Sequence, residues 1–228
     1  VVSNFRQQDI NLGGQGAPLV PIGDKLLFSE YDSCINLGGI ANISFEFKGK
    51  RLAYDISPCN MLLNFLAKKS GQDFDNCGKM ASAGQVDKIL LDKLDKINYY
   101  DFQIPKSLGK EYVNHHFIPI LSKSNKNNND ILATCVEHIA IKISNVLSEF
   151  DISKALFTGG GVFNQYLVDR ISYHTKTKIV IPNKDLVNFK EAIVFGFLGF
   201  LRVLGEHNCL SSATGAMCDH SSGDIYMI

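Results

Sequence analysis

The chain has 228 residues, is 45% apolar and carries 23 basic against 23 acidic residues. That length and apolar content suffice to bury a sizeable core, as one large domain or two small ones. The zero formal net charge excludes the electrostatic footprint of a nucleic-acid or membrane-surface binder, which leaves a small molecule or another protein as partner.

In chain order, Cys34 to Asp55 (CINLGGIANISFEFKGKRLAYD) holds three short β-type runs, Cys34 to Leu37, Asn42 to Lys48 and Leu52 to Tyr54. Gly38-Gly39 and Lys48-Gly49-Lys50 punctuate them as a meander of hairpins requires. A helix is predicted to open near Pro58, a residue suited to a first turn. VDKILLDKLDKI, EYVNHHFIPIL and DILATCVEHIAIKISNVLSEF then repeat apolar residues at helical spacing, giving a helical block over about 73–150. Ser122 to Asp130, SKSNKNNND, reads as a polar connector inside it. Beyond the block KALFT is a buried strand, GGG a turn, VFNQYLVDRISYHT a helix, KIVIP a strand, and FKEAIVFGFLGFLRVLG a long, very apolar helix.

The predicted order is therefore β-β-β-α, a helical insertion, then β-α-β-α. Antiparallel strands followed by right-handed crossovers build an α/β fold with a mixed sheet covered by helices. Ligands of such sheets gather at the carboxyl ends of strands, where this reading places Asp55 and Gly159. Gly38-Gly39 is either a plain turn or, with positive φ, a place where backbone N–H groups approach an anion. Gly159-Gly160-Gly161 is either a packing requirement or a flat surface for a nucleotide base or ribose, and no Gly-Lys-Ser/Thr follows to make it a P-loop. Asp55, read from its neighbours alone, caps the helix that follows. FKEAIVFGFLGFLRVLG is apolar all round, which favours a wholly buried helix.

No apolar run reaches the length of a transmembrane span, and Val1 opens the sequence without a signal-like segment. The six cysteines, at 34, 59, 77, 135, 209 and 218, show neither paired C-x-x-C spacing nor disulfide-scaffold density. They point to reduced thiols in a cytoplasmic protein and argue against a zinc site. His115, His116 and His138 lack partners at ligand spacing and read as structural.

Six ordered stretches carry a family resemblance: GGQGAPLVP, NLGGIANISF, YDISPCNMLLN, PKSLGKEYVN, LFTGGGVFN and SATGA. In that order they resemble the motif series of the anhydro-N-acetylmuramic acid kinases. The resemblance implies a ribonuclease H-like/actin-like ATPase domain, in which two related domains close over ATP and an amino-sugar substrate. It also implies phosphorylation of 1,6-anhydro-N-acetylmuramic acid at the 6-position while a water opens the anhydro bridge. By position, Asp55 matches the general base. Gly38, Gly39 and Asn42 match the ATP phosphate site, and Gly159, Gly160, Gly161 and Asn164 the adenosine site. Asn60 and Glu191 fall at the sugar, and Arg6 and Asp9 in a polar stretch beside the cleft. Surface or helix-dipole roles are the alternatives for Glu191, Arg6 and Asp9. Mg2+ is implied through the phosphates, with no carboxylate cluster to hold it, and homodimerisation is implied by similarity.

The sequence departs from the family pattern at three places. Asn4 replaces an Asp, and Ser57-Pro58-Cys59-Asn60 replaces Gly-Pro-Gly-Asn, which is expected to crowd the substrate. The family's Gly-Thr-Ser-Leu-Asp-Gly-type phosphate loop does not occur in the sequence. Residues 1–32 are accordingly expected to be an entering segment from a missing N-terminal domain, and 33–228 the C-terminal domain, inactive alone. The alternative function is a non-catalytic nucleotide-binding or scaffold module.

Overall fold

In the computed structural model, whose described residues are 1–227, Lys48 and Gly49 both take positive φ, 50° and 76°. That pairing suits a two-residue hairpin whose twist matches its strands. The hairpin joins the longest strands of the central sheet. The chain enters through β1 (Val2–Ser3), α1 (Gln7–Asn11) and α2 (Pro21–Leu27), then forms β2 (Ser33–Leu37), β3 (Ile40–Phe47) and β4 (Lys50–Pro58) as an antiparallel meander. The helices α3 (Asn60–Lys69), α4 (Lys79–Ser82), α5 (Lys88–Asp95), α6 (Lys110–His116), α7 (Ile118–Ser122) and α8 (Asn128–Glu149) fill the connection to β5 (Lys154–Thr158). Then come α9 (Gln165–His174), β6 (Lys178–Val180), α10 (Lys184–Leu204), α11 (Ser211–Thr214) and β7 (Asp224–Ile225).

The sheet order is β4-β3-β2-β5-β6, with β5 parallel to β2 and β6 parallel to β5. This is a mixed α/β sheet, antiparallel over β4-β3-β2 and parallel over β2-β5-β6, in the element order the sequence predicts. One face buries Ile35, Leu37, Ile43, Phe45 and Phe157 in a continuous core with Leu62, Leu66, Ile139, Ile143 and Ile171 of α3, α8 and α9. Each such Leu, Ile or Phe contributes about 1.5–3 kcal/mol through burial. The helical block belongs to the same core: Leu94, Tyr99, Phe117 and Leu121 join that cluster. By length and apolar content α8 also passes as a membrane-crossing helix, although 72% of its most apolar window is buried inside the fold. Its apolarity is thus spent on the sheet.

The other face carries a smaller cluster of Cys34, Ala53 and Leu156 with Leu19, Ile22, Val194, Leu198 and Leu201. Residues 1–32 are fastened there. β1 pairs with β7, and the Asp32 carboxylate accepts the Ser153 and Lys154 N–H groups at 2.9 and 2.8 Å.

Three expectations about elements need correction. β4 continues to Pro58, so Asp55 lies inside a strand, and the helix opens at Asn60 with Pro58 closing the strand. α10 opens at Lys184, capped by Asn183, because an Asn that accepts the Leu186 N–H satisfies an orphan donor. α10 is also not wholly core. It buries Val187, Val194, Leu198 and Leu201 along one stripe, while Phe189, Ile193, Phe200 and Val203 are exposed.

Candidate functional site

The site face is set by strand register. Asp55 on β4 stands beside Asn42 on β3, Asn42 beside Asn36 on β2, and Asn36 beside Thr158 on β5. Directly paired neighbours project from one face, so four polar side chains form a row across four strands. All four line a cavity of about 850 Å3, together with Gly38, Gly159 and Gly160.

Regular pairing of β3 with β4 sets that row, and a bulge ends it. Ala41 pairs with Ser57 but Asn42 pairs with Asp55, leaving Ile56 as an extra residue. Asp55 faces the cavity by ordinary alternation from Ala53, and in a regular strand Ser57 would share that face; the extra residue turns Ser57 to the core side. Ser57 accordingly meets Tyr100, with the two hydroxyls 3.1 Å apart.

Asp55 is half-buried, and its carboxylate accepts the Leu108 N–H at 2.8 Å. It makes no ion pair among the described residues. Burial raises its pKa above the ordinary carboxylate value, and the Leu108 N–H offsets that in part. The backbone on either side is pinned as well: Asp55 N–H donates to the Lys106 carbonyl at 3.0 Å and the Tyr99 hydroxyl donates to the Asp55 carbonyl at 2.5 Å. Lys106 lines the cavity, but its ammonium is held by the Tyr99 and Tyr100 carbonyls at 3.0 and 3.1 Å. Asp55 is therefore a fixed, uncompensated proton acceptor facing a cavity. The cap reading fails, since its hydrogen bond goes to Leu108 and α3 has no side-chain cap.

The glycines divide by role. Gly159 takes φ of +82°, and a Cβ there would lie 2.2 Å from Asn36 Oδ1. Gly161 packs on Leu37, where a Cβ would fall 2.7 Å from Leu37 Cβ, whereas at Gly160 a Cβ would meet nothing within 4 Å. Gly159 and Gly161 are thus packing glycines, and Gly160 leaves open backbone on the cavity. Neither Gly38 nor Gly39 has positive φ. Their carbonyls instead accept the Cys59, Asn60 and Met61 N–H groups that begin α3, at 2.9–3.2 Å.

Of the residues singled out in the sequence, Asp55, Gly38, Asn42, Gly159, Gly160 and Glu191 line this one cavity. Glu191 lies two turns into α10, too far from its start for a dipole role. Gly39, Gly161, Asn60, Asn164, Arg6 and Asp9 do not line it. Asn60 donates to the Leu37 carbonyl at 3.0 Å, and Asn164 caps α9 by accepting the Leu167 N–H at 3.1 Å. Arg6 donates to the Gly16 carbonyl at 2.6 Å. Asp9 is fully buried and accepts from Gly16 N–H and the Thr214 hydroxyl at 2.7 and 2.6 Å, which fastens a loop whose residue Gln15 does line the cavity. Ser57 and Cys59 are fully buried and outside the cavity lining, so the altered turn does not crowd the site.

Sequence reasoning missed Asn36 and Thr158, as well as a buried ion pair at the cavity between Lys190 and Asp24, 2.6 Å apart. Beside that pair the Cys34 thiol is pushed up to about 12, by burial first and by the Asp24 charge next. A polar residue in a run that otherwise reads as buried strand was the available signal for Asn36.

The anhydro-N-acetylmuramic acid kinase family model matches residues 1–228. The chain belongs to the anhydro-N-acetylmuramic acid kinase family. It is 34% identical to the kinase of that name from Aliivibrio fischeri, covering 99% of this chain and 65% of the relative. It is 35% identical to the one from Sulfurovum sp., covering all of this chain and 65% of the relative. The chain thus spans about 65% of the length of these curated anhydro-N-acetylmuramic acid kinases. Among solved structures, the activator of the 2-hydroxyisocaproyl-CoA dehydratase from Clostridium difficile aligns at 19% identity with a TM-score of 0.45, over 72% of this chain and 58% of that one.

Proposed function

We propose that this chain supplies the wall carrying the base, and part of the nucleotide site, of an ATP-dependent kinase that opens and phosphorylates 1,6-anhydro-N-acetylmuramic acid, yielding N-acetylmuramate 6-phosphate for cell-wall recycling in the cytoplasm. The observation that carries this reading is the row Asp55, Asn42, Asn36 and Thr158 facing the same cavity as Gly159 and Gly160. Asp55 takes the proton of the attacking water; its fixed orientation and lack of a cation partner suit a general base. The open backbone at Gly160 offers the face for the adenosine, and Asn36, Asn42 and Thr158 offer hydrogen bonds toward the phosphates. Glu191 stands on the cavity wall as a sugar contact. ATP, when bound with Mg2+ on its phosphates, supplies the transferred phosphoryl group. No cluster of cavity carboxylates among the described residues is arranged for the ion, and Asp24 is occupied by Lys190, so the ion is assigned to the nucleotide.

Phosphoryl transfer draws on positioning and charge from both walls of a closed cleft. Turnover is therefore assigned to an assembly in which another segment presents a phosphate loop; homodimerisation is a separate proposal, since two copies of this sequence still lack that loop, and the chain alone is expected to bind nucleotide without turnover. Isothermal titration of ATP and Mg2+ into the chain tests this, with Gly160→Val as the blocked control. Binding that weakens at least tenfold in Gly160→Val supports the site; equal binding by both proteins, or none by either, refutes it.

A further inference from the structure

A second polar cluster lies behind the cavity wall and has no part in the chemistry above. Asp9 of α1, Cys209 and His220 converge there at 0%, 0% and 7% exposure, and one ligand-type atom from each lies within 4.8 Å of the others. An isolated antiparallel bridge sets Cys209 opposite His220. Cys209 Sγ is 3.2 Å from Asp9 Oδ1, and His220 Nε2 is 3.6 Å from the same oxygen. Around a tetrahedral ion with nitrogen and oxygen at about 2.0 Å and sulfur at about 2.3 Å, ligand atoms stand about 3.3–3.5 Å apart. The two observed separations bracket that range.

The decisive feature is the imidazole of His220. Its Nδ1 lies 3.0 Å from the Cys218 carbonyl oxygen, and a carbonyl only accepts, so Nδ1 carries a proton; in the neutral ring Nε2 then presents a lone pair. That Nε2 is buried with no hydrogen-bond partner among the described residues. It faces a carboxylate oxygen at 3.6 Å; with the ring neutral that sets an acceptor against an acceptor away from water, which is costly unless a positive charge lies between them. An Nδ1–H donating to a carbonyl is also the outer contact that fixes the tautomer of metal-binding histidines.

We propose that Asp9, Cys209 and His220 form a structural site for a borderline-soft divalent ion, zinc foremost, that clips the N-terminal segment to the segment around Cys209 and His220. A nitrogen, sulfur and oxygen donor set excludes Mg2+ and Ca2+, which require oxygen. On binding, the Cys209 thiol gives its proton to solvent and a sulfur–metal bond replaces the Sγ–H···Oδ1 hydrogen bond. Asp9 and neutral His220 bind with no change in protonation, so one proton leaves per ion. Cysteine spacing does not reveal this set, because only one ligand is a cysteine and Asp9 lies 200 positions away. Thr214 and Gln15 line the cavity and adjoin Asp9 through the Thr214 hydroxyl and the Gly16 N–H, so the clip braces the cavity wall.

The test uses the full chain carrying Cys77→Ser and Cys218→Ser, which removes the two exposed thiols. Titration with Co2+ is expected to give one ion per chain, a thiolate-to-cobalt charge-transfer band, one proton released, and displacement by Zn2+. Adding His220→Gln or Cys209→Ser is expected to abolish the band, with near-UV circular dichroism confirming the fold; should Cys209→Ser unfold, His220→Gln decides. A folded parent that shows no band overturns the site, as does unchanged Co2+ affinity in His220→Gln. Magnetic resonance showing His220 doubly protonated in the presence of excess Zn2+ also overturns it and makes the cluster an Asp–His ion pair.

Discussion

Gly159→Ala separates a glycine the fold demands from one that a ligand would use. Gly159 has φ of +82° and ψ of 161°, a region nearly closed to residues with a Cβ, where occupancy costs about 1–3 kcal/mol. The added Cβ would also lie 2.2 Å from Asn36 Oδ1 and 2.9 Å from the Leu37 carbonyl carbon and oxygen. Asn36 can swing away, but the Leu37 backbone is held in the sheet, and overpacking of that kind adds about 1–3 kcal/mol. The sum, about 2–6 kcal/mol, corresponds to a fall in Tm of about 4–24 °C for a chain of this size. Gly160→Ala meets nothing within 4 Å and is expected to change stability by less than about 0.5 kcal/mol. Thermal and urea denaturation of the two variants side by side is the assay. Should Gly159→Ala fall within about 0.5 kcal/mol of Gly160→Ala, the close approach of this turn to Asn36 and Leu37 is wrong.

Lys190→Met leaves Asp24 buried and unpaired, at an expected cost of about 3–5 kcal/mol. Asp24→Leu combined with Lys190→Met should recover most of it in urea titrations; a single-variant loss below about 1 kcal/mol would mean the pair is solvated. Asp55→Asn is expected to be at least as stable as the parent at neutral pH. The raised pKa of Asp55 means that its protonated form stabilises the fold at low pH, a contribution lost as pH rises through the folded-state value. A destabilised Asp55→Asn at pH 8 would contradict this. Burial holds His138 below its ordinary value of 6.5, so the unfolded chain binds more protons and stability falls as pH drops below 6.5. His138 faces Asp95 and Lys142, and Asp95, held at about 2, titrates outside that window. His138→Gln should flatten the slope between about pH 5 and 6.5; an unchanged slope would assign it elsewhere. Light scattering across a concentration series should give the mass of a dimer, and a constant monomer mass would end that proposal.

The sheet was legible because its signals are local. Gly38-Gly39 marks one hairpin and Lys48-Gly49 the other, and KALFT and KIVIP are short apolar runs bounded by turn residues. Asp55 was found through its motif, whereas its orientation was not legible. The alternation runs regularly from Leu52 to Asp55, but which face of the sheet meets the cavity, and the length of β4, are set by pairing with β3. Cap and packing roles of Asn60, Asn164 and Gly161 were hidden for a related reason. Each is decided by a partner distant in sequence or by backbone geometry, and the residue types are equally common at ligand sites. The alternation of α10 between a buried stripe and an exposed apolar one is invisible when nearly every residue is apolar.

A crystal structure of the chain with a non-hydrolysable ATP analogue tests the central claim most directly. The account predicts adenosine against Gly159 and Gly160, with phosphates running along Thr158, Asn36 and Asn42 toward the side of the row that ends at Asp55. An analogue bound outside this cavity, or bound inside it with Asp55 turned away from the phosphate end, would contradict it.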